Sequence, residues 1–242
     1  IKFFENNNFD KLFFNNTFGV DENNRDSEII KLLEDKRYEY EHFDDQILFK
    51  PGSIQTNEGK PYSVFTPFKR KWLEFFNIDL LDIEYAYSAK KKKFLDSNIN
   101  NFDFSHDYTF DSNLWKVGEK GAKYVLDDFL KLKASYYHKN RNDPIKEGTS
   151  RISPYLALGV LSSKRCILEG IKLNNLDIYS GNKGILKWID EIVWREFYRN
   201  IMHAFPRVSK GKPFQEYTNN ISWRHNDIEF KAWANGKTGF PI

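Results

Sequence analysis

Sulfur is almost missing from this chain. A single cysteine, Cys166, stands in 242 residues. That excludes an internal disulfide and a zinc cluster built on thiolates, so no metal centre is expected. The compartment that follows is a reducing one, the cytoplasm. Long hydrophobic runs are missing too: nothing approaches the roughly 18 apolar residues of a membrane span, and no signal peptide opens the chain, so no membrane partner is expected. No internal repeat is visible. An initiator methionine is also missing, since the chain opens on Ile1 and stops at Ile242 after GKTGFPI; we read it as a fragment of a longer protein. A large charge imbalance is absent as well, the formal net charge being +3.

That small net charge hides an asymmetry. Residues 1–110 carry 15 Lys+Arg against 20 Asp+Glu, whereas residues 111–242 carry 22 against 14. An acidic first half joined to a basic, tryptophan-rich second half suggests a polyanion met by the second half only. Many basic domains bind nothing anionic, and the wealth of Asn, Lys, Ile, Phe and Tyr looks like codon bias, which discounts the lysines. With 40% hydrophobic residues, the chain can bury one large core or two modest ones.

Local patterning divides the chain in three. The run LFFN at 12–15 is apolar, Ile29, Ile30, Leu32 and Leu33 predict a helix over 25–37, and 38–43 and 47–49 read as strands, the second broken by Pro51-Gly52. Thr66 and Pro67 suit the N-cap and first turn of a helix reaching Phe76. Alternating helix and strand implies the tail of an α/β domain over 1–80. Residues 81–112 read as a polar linker whose Lys90–Lys93 form a solvated run, a phosphate contact being the lesser alternative. From 113 to 242 everything reads helical, over 119–133, 154–158, 163–173 and 185–205.

Two segments carry the chemistry. In 148–154, GTSRISP, three hydroxyls and a guanidinium stand ahead of a helix that Ser153 can cap and Pro154 can begin. Free N–H groups at a helix start attract anions, and Arg151 can add a bidentate contact, which suits a pyrophosphate. The plain alternative is an ordinary capped helix with a surface arginine, for the loop is neither a P-loop nor a GxGxxG turn. In the second segment, helical winding places Ile189, Val193, Phe197 and Ile201 on one core arc. Trp188, Glu191, Arg195 and Arg199 fall on another wedge about 80° wide, bordered by Trp194 and Tyr198. Indole beside guanidinium suits a planar ring with a phosphate; a helix packed on both sides is the alternative. Trp223 and Trp233, near Arg207, Lys210 and Lys212, continue an aromatic and basic composition that suits single-stranded or extruded bases.

Three separated stretches, 147–162 (EGTSRISPYLALGVLS), 188–201 (WIDEIVWREFYRNI) and 233–242 (WANGKTGFPI), resemble in this order the photolyase/cryptochrome flavoproteins. They are most similar to bacterial class I cyclobutane pyrimidine dimer photolyases of the folate-antenna type. FTPFKRKW at 65–72 and the stretch 13–26 resemble the N-terminal domain of that family, so the likeness covers nearly the whole chain. The fold it implies is the C-terminal part of a Rossmann-like α/β antenna domain, a long linker, and the first part of an all-α FAD-binding domain.

The resemblance implies a lyase that repairs DNA under light, with reduced FAD passing an electron to a flipped dimer. Flipping is the general device by which photolyases reach their target base. Position by position, Tyr137, Thr149, Ser150, Arg151, Ile152, Ser153, Trp188 and Arg195 are similar to FAD contacts. Glu191 and Trp194 resemble the residues that meet the dimer, and Arg141, Arg195, Phe197 and Tyr198 complete the implied DNA surface. Trp223 resembles a member of an electron-transfer tryptophan chain. Glu22 and Lys210 resemble the contacts of a 5,10-methenyltetrahydrofolate antenna. Asp21 and Ser209 depart there from the family's common Asn and Cys, which weakens the folate reading. A monomer is expected, and the fragment alone is expected to be inactive, because the family's remaining FAD contacts follow GKTGFPI. A cryptochrome photoreceptor without repair, and a non-enzymatic nucleic-acid-binding module, are the other classes open to this sequence.

Overall fold

The computed structural model describes residues 4, 6, 9–81 and 115–240, so the lysine run at 90–93 lies outside the described residues. Strand β1 (Lys11–Asn15), helix α1 (Val20–Asp35) and strand β2 (Glu39–Phe43) form a βαβ unit. The strands pair in parallel, Lys11 opposite Glu39 and Asn15 opposite Phe43. A parallel pair needs a crossover, and α1 supplies it. Helix α1 starts five residues before the expected boundary, which places Asp21 and Glu22 in its first turn. Its Leu33 is fully buried, and the carboxylate of buried Asp26 accepts from Thr17 Oγ1 at 3.1 Å and Arg25 Nε at 2.9 Å.

The expected strand at 47–49 is not formed. Residues 44–64 run irregularly, apart from one bridge between Gln55 and Pro61. The N–H groups of Leu48 and Phe49, which a strand would spend on a neighbour, go to the buried carboxylate of Glu196 at 3.0 Å each. A short apolar run does not specify what its backbone bonds to.

Helix α2 (Phe65–Phe75) begins at Phe65 with Val64 as its N-cap, so Thr66 lies inside the helix and Pro67 in its first turn. The remaining α-helices are α3 (Gly118–Leu132), α4 (Tyr137–Asn140), α5 (Ser153–Ala157), α6 (Ser163–Leu173), α7 (Lys183–Ala204) and α8 (Asp227–Ala234). One hydrophobic core joins Phe68 and Trp72 of α2, Leu126 and Phe129 of α3, Cys166 and Ile171 of α6, and the inner arc of α7. Thus α2 packs into the helical body rather than onto the small sheet. Helix α7 enters that core closely: a Cβ on Gly184 would lie 2.3 Å from the Ser135 carbonyl oxygen, so only glycine fits. Among the described residues no helix is long and apolar enough to cross a membrane.

Candidate functional site

Helix α7 builds the site. Asn182 caps it by accepting from the N–H groups of Gly184 (2.8 Å) and Ile185 (3.1 Å). The arc Ile189, Val193, Phe197 and Ile201 is buried, as the spacing predicts. The other wedge opens on a cleft of about 690 Å3. Trp188, Glu191, Ile192, Trp194, Arg195, Tyr198 and Arg199 line one side, and Trp115, Tyr137, Leu156 and the loop 149–153 line the rest. The two segments singled out in the sequence therefore meet across one space. Its volume is that of an ordinary ligand pocket.

The loop departs from expectation in one respect. Helix α5 has five residues, its N-cap is Ile152, and no side chain caps it, so Ser153 is helical rather than capping. So short a helix sums few peptide dipoles, and its anion attraction is correspondingly small. The loop offers instead the hydroxyls of Thr149, Ser150 and Ser153 and the guanidinium of Arg151. Arg151 adopts the left-handed region at φ 53 and is loosely paired with Glu147 at 3.7 Å. A strained non-glycine residue in a ligand-facing loop is a recurrent mark of function. Gly148 lets the loop lie against α4, since a Cβ there would come within 2.6 Å of Asn140 Cβ. Tyr155 donates to the Lys116 carbonyl at 2.7 Å, which fixes the segment bearing Trp115.

Glu191 accepts from Arg141 Nη1 and lies 3.6 Å from Lys187 Nζ. Both cations meet Oε1, so Oε2 is left as an acceptor. The hydrogen bond to Glu191 raises the Arg141 pKa. Arg141 also stands 5.5 Å from the ring centre of Tyr137, whose phenol burial pushes above its ordinary pKa. Trp194 stacks on Phe65 with centroids 3.8 Å apart at 10°, and on Tyr198 at 5.5 Å. Arg195 donates to the carbonyls of Gln46 and of Leu156, the latter at 3.2 Å. Burial, and then the neighbouring Arg199, hold its pKa below the usual value. Phe197 is 4% exposed and packs against Phe65 and Phe68, outside the cleft wall. Trp223 is 73% exposed and lines neither this cleft nor the next.

A second cleft of about 340 Å3 lies where the start of α1 meets the end of α7. Thr17, Phe18, Gly19, Glu22, Gln46, Arg199, Met202 and Ser209 line it. Ser209 Oγ accepts from the Val20 N–H at 3.2 Å. Lys210 is exposed and absent from the lining, although its neighbour Ser209 is part of it.

The donor sets fit the groups that the sequence suggests. Indoles, Ile192 and Leu156 beside hydroxyls and guanidinium suit a flavin ring joined to a pyrophosphate. The carboxylate of Glu22 suits the amino and amide N–H groups of a pterin. Three participants escaped the sequence reading. Trp115 sits where the linker ends and no periodicity marks it, Phe65 stands just ahead of the expected helix start at Thr66, and Glu196 has no signal beyond being a charge on the wrong arc of α7.

Comparison with known proteins gives a consistent picture. The family model described as DNA photolyase matches residues 1–89, and the one described as FAD binding domain of DNA photolyase matches residues 188–242. The deoxyribodipyrimidine photo-lyase of Vibrio cholerae is 32% identical over 237 residues, covering 97% of this chain and 50% of that protein. The Escherichia coli deoxyribodipyrimidine photo-lyase is 33% identical, covering 98% and 49%. Among solved structures, a bacterial class III photolyase from Agrobacterium tumefaciens superposes with a TM-score of 0.76 at 29% identity, over 97% of this chain and 49% of that one. A Synechocystis cryptochrome shares the fold at 19% identity and a TM-score of 0.74, over 99% and 50%. The chain spans about half the length of the curated relatives it matches.

Proposed function

The chain belongs to the DNA photolyase family, and on that premise we propose that the whole protein is a light-dependent lyase that splits cyclobutane pyrimidine dimers in DNA. The observation that carries this reading is the meeting of the 149–153 loop with Trp188, Glu191, Trp194 and Tyr198 around one cleft. In this reading the cleft is the FAD site: the loop's hydroxyls and Arg151 hold the phosphates, and Trp188 and Ile192 flank the ring. When bound and reduced, FAD supplies a light-driven electron donor; the protein supplies position and electrostatics. Residues 1–80 then form the end of a Rossmann-like antenna domain, 81–112 the linker and 113–242 the first part of the FAD domain. The smaller cleft takes the folate antenna at Glu22, with Lys210 beside it. Trp223 serves electron transfer. The protein acts in the cytoplasm as a monomer.

Exposed Tyr198 lines the cleft and Arg141 bonds to Glu191 of its wall; in this reading the damaged strand approaches there. A dimer pairs and stacks poorly, so its extrusion costs less than that of an intact base. Trp194 and Tyr198, stacked on each other in the cleft wall, are the aromatic surface on which the extruded base would pack, such stacking being worth roughly 1–3 kcal/mol per base. Glu191 keeps Oε2 for the dimer while Arg141 and Lys187 hold Oε1.

The test is repair of a thymine-dimer oligonucleotide by the whole protein, in light and in darkness. We expect repair in light only, with Glu191→Gln lowering the repair yield per photon while dimer binding persists. An unchanged yield in Glu191→Gln removes the role given to Glu191. A flavoprotein that repairs nothing in light is instead a photoreceptor.

A further inference from the structure

Among the described residues, Arg199 alone lines both clefts. It sits one turn beyond Arg195, half-buried, yet no carboxylate pairs with it among the described residues. Its Nε is buried without a hydrogen-bond partner. Its Nη1 reaches only Met202 Sδ at 3.8 Å, and its Cζ stands 6.0 Å from the Phe18 ring centre. Burial alone accounts for its lowered pKa, with no neighbouring carboxylate offsetting it. A guanidinium withdrawn from water without a counter-charge is unfavourable, and a planar fork of free donors is suited to a carboxylate or phosphate. Glu22 lines the same smaller cleft and also has no ion-pair partner among the described residues. The cleft thus carries two opposite, unspent charges that do not pair with each other.

We propose that Arg199 is the anion contact of the smaller cleft, receiving a carboxylate or phosphate of a ligand whose hydrogen-bond-donor end is held by Glu22. With the folate assignment, on which this part rests, the donor end is the pterin and the anion is a carboxylate of the glutamate tail. Ser209, which lines the same cleft and accepts from the Val20 N–H, ties its wall to the start of α1.

The test is equilibrium titration of the whole protein, wild type and Arg199→Gln, followed by fluorescence. The probes are 5,10-methenyltetrahydrofolate, a pterin lacking the aminobenzoylglutamate tail, and inorganic phosphate. Arg199→Gln is expected to weaken the folate and phosphate roughly tenfold or more, the loss of a charge-assisted hydrogen bond, while the tail-less pterin keeps its affinity. Equal weakening of both pterins, or of neither, overturns the inference. Phosphate binding that depends on Arg199, with both pterins ignored, upholds the anion contact and removes the folate assignment. A wild-type chain that binds none of the three overturns both. Because Arg199→Gln deletes an uncompensated charge, it should melt no lower than wild type; Arg199→Lys, charged but without the fork, is expected to fall between the two in affinity.

Discussion

Glu196 shows how a single residue can matter without facing the cleft. Its side chain is buried, and its carboxylate accepts the N–H groups of Leu48 and Phe49 at 3.0 Å. Asn200, one turn on, accepts from the Gly52 N–H and donates to the Glu196 carbonyl, both at 3.0 Å. Burial pushes the Glu196 pKa from an ordinary 4.5 up to about 7, outweighing those two N–H bonds. Between these values the folded chain holds a proton that the unfolded chain has released. The group's contribution is therefore fully present below about pH 4.5 and is lost as pH rises through about 7, a swing of about 3 kcal/mol. We expect the melting temperature to fall from pH 5 to pH 8 for this reason. Glu196→Gln should flatten that dependence, while lowering stability at pH 5 by about 1–3 kcal/mol because its amide NH2 opposes a backbone N–H. A melting curve series across that range checks both. None of this was legible in the sequence, where Glu196 is simply the middle letter of WREFY.

At the scale of elements, periodicity served the helices well and the loops poorly. Helix α6 falls on the expected 163–173, and α7 on 183–204 rather than 185–205. The inner arc and the cleft wedge of α7 followed from 3.6-residue winding, because both are local properties. The 47–49 segment was misread because its fate depends on Glu196, about 150 positions away in the chain. The capping role given to Ser153 failed for a similar reason: the chain turns at Arg151, and α5 ends after five residues. The cap of α7 was equally invisible, since nothing in the sequence ranks Asn182 above its neighbours. Asn182→Ala should destabilise the protein by about 1 kcal/mol, read by denaturant titration, because it strands two N–H groups at the start of the helix that carries the site.

At the scale of the molecule, the two-stranded parallel sheet leaves Phe13 and Phe43 exposed at 59% and 45%. The acidic and basic halves noticed in the sequence do not behave as independent bodies, since α2 shares its core with α7 and residues 46–52 are gripped by α6 and α7. The likeness to photolyases was legible because three stretches recur in order; the joint between the halves was not, because it is made by side chains bonding to distant backbone. The central claim is that the cleft between the 149–153 loop and α7 holds FAD, and a titration of the whole protein with FAD addresses it most directly. The account predicts one FAD per chain, and a loss of affinity of at least about tenfold in Ser150→Trp, whose indole fills the cleft while circular dichroism stays unchanged. FAD bound equally well by Ser150→Trp, or a wild-type protein that binds none, would contradict it.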